Sequence, residues 1–183
     1  MSHPTVDDVF VTHLRDAHAL ERLMDTALGA LIATAGAPEL REPLEHHQSL
    51  TRRHIIALEE RLAAHADRPS AVKDAGLATA AIGEALLARA RGDHAGKHAR
   101  DAYVLIHLAA AGYEMLGHLA RRAGDEETAR LVAEHLADER ASAAAIDARW
   151  DLVLDLSLRH AGVLSAPPVG PPRSLRGVAG GDG

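Results

Sequence analysis

The stretch VFVTHLRDAHALERLMDTALGAL, residues 9–31, decides how the chain is read. Phe10, Leu14, Ala17, Met24, Leu28 and Leu31 recur at alternating steps of four and three, the spacing that keeps side chains on one helix face packed against other helices. One step in the series 10-14-17-21-24-28-31 falls on Glu21. A carboxylate in a packed seam is costly when unpaired, so such a group is hydrogen-bonded, paired with a cation or bound to a metal. The spacing therefore predicts a bundle helix carrying a buried acid, and the rest of the chain must supply its partner.

Working outward, Thr5 suits the N-cap of this helix, with Asp7 and Asp8 at its positive terminus, and the helix is expected to run to about Ala35. Gly36-Ala37-Pro38 breaks the pattern. A second helix follows from about Pro38 to Ala66, with a nick expected near Pro43, and Asp67-Arg68-Pro69-Ser70 ends it. Ala71 to Arg91 has a weaker helical pattern interrupted by Gly76 and Gly83, and reads as a crossover segment. Two long helices are then predicted, from about Lys97 to Ala123 and from about Glu126 to Leu158. The last of these repeats the opening feature: Val132, Leu136, Glu139, Ala143, Ile146, Trp150 and Val153 form a second seam with a carboxylate in it. The match between Arg15-Asp16-Ala17 and Arg100-Asp101-Ala102 suits two related helical hairpins joined by the crossover.

Composition bounds the function. The chain has 183 residues, few aromatics, almost no β-branched runs and abundant alanine and leucine, which favours an all-α domain. Residues 1–163 read as one helical bundle. Residues 164–183, rich in proline and glycine, read as a disordered tail in which Ser174-Leu175-Arg176-Gly177-Val178 offers a docking peptide for a protein partner. A net charge of −6 with no basic stripe argues against nucleic acid as a partner. No apolar run approaches the roughly 20 residues of a membrane span, and no signal pattern opens the chain, so a cytoplasmic protein that does not engage membranes is expected. The absence of cysteine removes thiolate chemistry.

The thirteen histidines supply the candidate partners. His47, Thr51, His54 and Leu58 share one face of the second helix; His107, Ala111, Glu114 and His118 are expected to share the inner face of the third; His135 and Glu139 lie one turn apart in the fourth. Carboxylates and imidazoles converging from four helices are what a di-iron or di-manganese bundle site requires. Two other readings stay open. Glu21 and Glu139 could pair with Arg52, Arg53 or Arg140 as structural ion pairs, and His47 and His54 could be core histidines that hold carboxylates by hydrogen bonds. His13, His65, His94, His98 and His160 are expected at the surface or in linkers, and His118 and His135 have a solvated reading as well.

The opening Thr5-Val6-Asp7-Asp8-Val9-Phe10 with His13-Leu14-Arg15-Asp16-Ala17-His18-Ala19-Leu20-Glu21 resembles the first helix of the DUF892, or YciE/YciF-like, family of the ferritin-like superfamily. The series His47, Thr51, His54, Leu58-Glu59 resembles its second helix, Arg100-Asp101-Ala102 and Tyr113-Glu114 its third, and Leu131-Val132, Leu136 and Asp138-Glu139-Arg140 its fourth. The resemblance covers about Thr5 to Leu158. It implies a ferritin-like four-helix bundle with an additional crossover helix, a homodimer, a di-metal carboxylate site holding iron or manganese, and an association with stress responses. This chain departs from the implied ligand pattern. The second-helix acid aligns with Ser49 or Arg52, a third-helix acid with Ala111, and the position three after Glu139 is Ser142. What remains for a metal is Glu21, Glu114 and Glu139 as oxygen donors, with His54 and either His47 or His118 as nitrogen donors. The expected function is a ferritin-like protein with a divergent or partly lost metal site. The rival expectations are a metal-free homodimeric interaction protein and a bundle recruited to acid–base chemistry on a small molecule.

Overall fold

The computed structural model describes His3, residues 5–65 and residues 95–163. Five helices appear among them: α1 (Val6–Thr34), α2 (Pro38–Ala64), α3 (Ala95–Ala123), α4 (Glu126–Asp147) and α5 (Trp150–His160). The expected crossover over 71–91 and the tail from 164 lie outside the described residues. Among the described residues no helix is long and apolar enough to cross a membrane.

Local chemistry sets the helix ends. Thr5 and Asp8 form a capping box: Thr5 Oγ1 accepts from the Asp8 N–H while Asp8 Oδ2 accepts from the Thr5 N–H. The Thr5 hydroxyl also donates to Asp8 Oδ2, and the bonds from the Thr5 N–H and hydroxyl hold the Asp8 carboxyl below its ordinary range. Pro38 opens α2 at a position that needs no N–H, and Pro43 lies inside the helix without breaking it, so the expected nick is absent. Gly124, at φ 78°, turns the chain between α3 and α4. Asp125 then caps α4 through Thr128 and also binds Arg61 of α2 and His65 at its C-cap, tying the two helices together.

The predicted last helix is two helices. At Ala148 and Arg149 the chain turns, with the Arg149 N–H bonding back three residues to Ile146. The Arg149 guanidinium donates to the Ala145 carbonyl and the Trp150 indole N–H to Asp147, while the indole ring packs edge-on against Tyr103 of α3. Docking this indole on α3 redirects the chain into α5, and a period-based reading runs straight through such a corner.

Side-chain pairings give the topology. His18–Glu59 and Arg52–Asp25 run α1 antiparallel to α2. Thr34–His98 and Glu21–Tyr113 run α1 antiparallel to α3. His47–Glu139 and Arg61–Asp125 run α2 antiparallel to α4. The whole α1 series from Phe10 to Leu31 is buried, Glu21 included. Leu14, Met24, Leu28 and Leu58 are fully enclosed, each contributing about 2 kcal/mol by burial. On α2 and α4 a polar layer separates two apolar clusters, one containing Leu58, Leu62, Ala129 and Val132 and the other Leu40, Leu44, Ala143 and Ile146. That layer holds His47, Thr51, His54, His135, Glu139 and Ser142.

Candidate metal centre

Helix geometry aims three ligating groups at one point. Glu21 completes the α1 seam, His54 lies on the buried face of α2, and Glu139 completes the α4 seam. One ligand atom from each lies within 4.8 Å of the others, and all three residues are buried, so this group could hold a metal ion. His54 Nδ1 faces both acids, 3.4 Å from Glu21 Oε1 and 3.6 Å from Glu139 Oε1. Its other nitrogen, Nε2, is 3.2 Å from Asp138 Oδ2 at the half-exposed rim. A proton on Nδ1 donates to Glu21 Oε1, whereas a proton on Nε2, shared with Asp138, would leave the Nδ1 lone pair available to a cation.

The surrounding groups bind the same acids. Tyr113 of α3 donates to Glu21 Oε1 at 2.6 Å, and His47 Nε2 reaches both oxygens of Glu139 at 3.2 and 3.0 Å. His135 stacks on His54 with ring centroids 3.9 Å apart, and Tyr113 meets both rings edge-on. Burial pushes His54 toward the neutral form, but the hydrogen bond and charge of Glu21, with Asp138 and Glu139, outweigh it and leave its pKa raised. Burial, reinforced by His54, lowers His135 to about 3, so it is neutral at pH 7. Burial raises Glu139, against the opposing pull of His47, and burial with the nearby Glu21 raises the Tyr113 hydroxyl well above its ordinary value.

The structure corrects several sequence expectations. Glu114 and His118 do not join the centre. They lie on the exposed side of α3, where Glu114 binds Arg140 at 2.9 Å and His118 lies 3.9 Å from Glu114. The inner face of α3 is instead Ala99, Ala102, Ile106, Ala109, Tyr113, Leu116 and Ala120, and the face of His107, Ala111, Glu114 and His118 is turned to solvent. Arg52 and Arg140 do not pair with Glu21 or Glu139: Arg52 binds Asp25, and Arg140 binds Glu114. Ser49 and Arg52 are both exposed, and the inward position three before His54 is Thr51. His98 is buried against Thr34, His135 is buried in the centre, and His65 is half-buried on Asp125. His94 lies outside the described residues.

Tyr113 and His135 are the site members whose roles the sequence did not reveal. Tyr113 had a signal: it is the one member of the 99-102-106-109-113-116-120 series with a polar group other than a backbone one. His135 had a weaker one, the single turn separating it from Glu139.

A helical bundle with a buried carboxylate–imidazole centre is the class that this fold and site define. The chain belongs to the DUF892 family, described as a domain of unknown function, whose model matches residues 5–152. Its fold resembles that of the Escherichia coli stress protein YciF, at 20% identity over 84% of this chain and 97% of that one, with a TM-score of 0.72. A protein from Xanthomonas campestris is similar at 22% identity, covering 86% and 99% of the two chains, with a TM-score of 0.72. YcfI of Rhodopseudomonas palustris, described as a putative structural protein, is similar at 21% identity, covering 79% and 94%, with a TM-score of 0.68. The fold is thus the YciF-like, all-α bundle that the resemblance implied.

Proposed function

We propose that this protein binds a single iron or manganese ion through Glu21, His54 and Glu139, as a reduced form of a ferritin-like di-metal centre, in a stress-associated role of the kind YciF's description suggests. The observation that carries the reading is the convergence of three buried ligand atoms from three helices within 4.8 Å. Glu21 Oε2 supports it: this oxygen is buried and has no hydrogen-bond partner, leaving a lone pair for a cation. Two carboxylates and one imidazole make a hard-to-borderline donor set that suits iron or manganese, and two acids match the charge of one divalent ion.

Di-metal bundles use a Glu from each of two helices and Glu-x-x-His from each of the other two. Here the inward set is Glu21 on α1, Thr51 and His54 on α2, Tyr113 on α3, and Glu139 and Ser142 on α4. Two acids and one imidazole of the six ligands are gone, and His47 holds both oxygens of Glu139, which hinders that carboxylate from bridging a pair of ions. A bound iron or manganese ion supplies redox or Lewis-acid chemistry at the centre. The chain's own groups orient it: Asp138 sets the His54 tautomer, Tyr113 fixes Glu21, and the apolar clusters on either side exclude bulk water.

Anaerobic loading with ferrous iron or manganese, followed by metal analysis, should give about one ion per chain, by the count of surviving ligands. Glu21→Ala should abolish it. No uptake by the native chain would refute the reading.

A second reading is a metal-free bundle, favoured by the hydrogen bonds that Tyr113, His47 and His54 already make to both acids. Thermal melting of metal-loaded protein with and without chelator separates the two, because an ion bound only to the folded state raises its Tm. An unchanged Tm favours the metal-free bundle.

A further inference from the structure

The outer groove between α1 and α2 holds a cavity of about 620 Å³, within the roughly 300–1,000 Å³ of small-molecule sites. Leu23, Ile55 and Ile56 give it an apolar lining, and Ile56 is 58% exposed. Arg22 of α1 and Arg52 of α2 stand on its two walls, with Asp25 one turn along α1 from Arg22. No ligand of the metal centre lines it: Glu21 and His54, close to these residues in sequence, are buried inside the bundle. The groove is therefore a feature of the outer surface, apart from the buried polar layer.

Hydrogen-bond counting selects the charge of a guest. Arg52 donates through Nε to Asp25 Oδ1 at 2.9 Å, and its two terminal amino groups have no acceptor among the described residues. The Arg22 guanidinium makes no hydrogen bond among them: Nη1 lies 3.9 Å from Glu59 Oε1, an oxygen already 3.1 Å from His18 Nε2. A guanidinium carries five N–H donors, so the pair presents a large surplus of donors over what Asp25 accepts. Both side chains are well exposed, at 66% and 61%, which leaves the surplus open to an arriving molecule. A cation gains nothing from such a surplus. A neutral apolar molecule covers the isoleucines but leaves both guanidiniums to water, whereas a carboxylate or sulfonate on an apolar body uses both features.

We propose that this groove binds a free amphipathic anion, with its apolar body on Leu23, Ile55 and Ile56 and its acidic head between Arg22 and Arg52. The proposal does not rest on the metal-binding reading.

Two fluorescent probes that share one aromatic skeleton test it: anilinonaphthalene sulfonate, an anion, and N-phenylnaphthylamine, its uncharged parent. Both are titrated against the folded full chain with chelator present. The sulfonate should bind at least about tenfold more tightly, the margin of one or two charge-assisted hydrogen bonds. Arg22→Gln combined with Arg52→Gln should remove that preference and leave binding of the neutral parent unchanged, while Ile56→Ser should weaken both probes. All three positions are exposed, so the variants keep the fold, which ellipticity checks. Dodecanoate should displace the sulfonate, and dodecyltrimethylammonium, the same chain with a cationic head, should not. Equal binding of the two probes by the native chain, or a preference that survives the double arginine substitution, overturns the proposal. Flotation of the native chain with phosphatidylglycerol vesicles, abolished by these variants, overturns it in favour of a membrane surface. Self-association abolished by Ile56→Ser overturns it in favour of a second copy.

Discussion

His135 makes the fold acid-labile by an amount that follows from its position. The ring is 5% exposed, stacked on His54, and titrates at about 3 in the folded chain against 6.5 for a free histidine. A depressed folded pKa means that the stability it permits is present above pH 6.5 and is lost as the pH falls toward 3, because the unfolded chain takes up a proton that the folded site refuses. At pH 4.5 that loss is about 2.7 kcal/mol, two pH units at about 1.36 kcal/mol each. His135→Phe keeps a flat ring over His54 but removes the titration. Since His135 is uncharged in the fold at both pH 7 and pH 4.5, the substitution leaves the charge around His54 unchanged. Urea unfolding followed by ellipticity, with chelator throughout, gives the free energy of each protein at both pH values. Titrations common to the two proteins cancel in the difference. The native chain should lose roughly 2 to 3 kcal/mol more than His135→Phe on going to pH 4.5. Equal losses, to within about 0.5 kcal/mol, would refute the placement of a neutral imidazole in the interior.

Other substitutions probe the remaining contacts. Tyr113→Phe removes the 2.6 Å bond to Glu21 and should cost about 1–3 kcal/mol in urea unfolding at pH 7; a negligible loss would mean that another group holds Glu21. Asp125→Ala strips the cap from α4 and leaves Arg61 and His65 without the acid they share, at a cost of roughly 2 to 4 kcal/mol. A loss no greater than that of an ordinary cap, about 1 kcal/mol, would show that the α2–α4 tie carries little. Glu114→Ala breaks only exposed contacts, with Arg140 and His118, and should change stability by less than about 0.5 kcal/mol. Metal uptake by Glu114→Ala should equal that of the native chain, and a drop would return Glu114 to the centre.

Where the sequence was readable, contrast made it so. On α1, every seam position but Glu21 is apolar and all of these but Ala17 are large, so both the buried face and the anomaly in it stand out before any coordinates are known. The same holds for Glu139 between Val132 and Ile146, and for His47 and His54 on α2. On α3 the contrast fails. Its buried face is built largely of alanine, at Ala99, Ala102, Ala109 and Ala120, while Val104, Leu108 and Met115 point outward. With small residues inside and large ones outside, periodicity does not phase the helix, and it points to Glu114 where the structure buries Tyr113. The arginine pairings differ for a related reason: Arg52 and Arg140 find Asp25 and Glu114 nearer the surface, whereas Glu21 and Glu139 receive imidazole and phenol, which carry less hydration into a buried layer. The corner at Ala148–Arg149 was invisible because it depends on where Trp150 docks, a tertiary contact absent from local pattern.

That corner gives the chain an optical reporter. Trp150 is its single tryptophan, placed about three turns beyond Glu139 and resting on Tyr103. Its emission therefore follows the seating of α5 on α3 and not events at the centre. Compared with the ellipticity of the long helices, it shows whether the C-terminal corner frays first or melts together with the rest. Comparing the two signals makes the cooperativity of the bundle measurable in the native protein, without an added label.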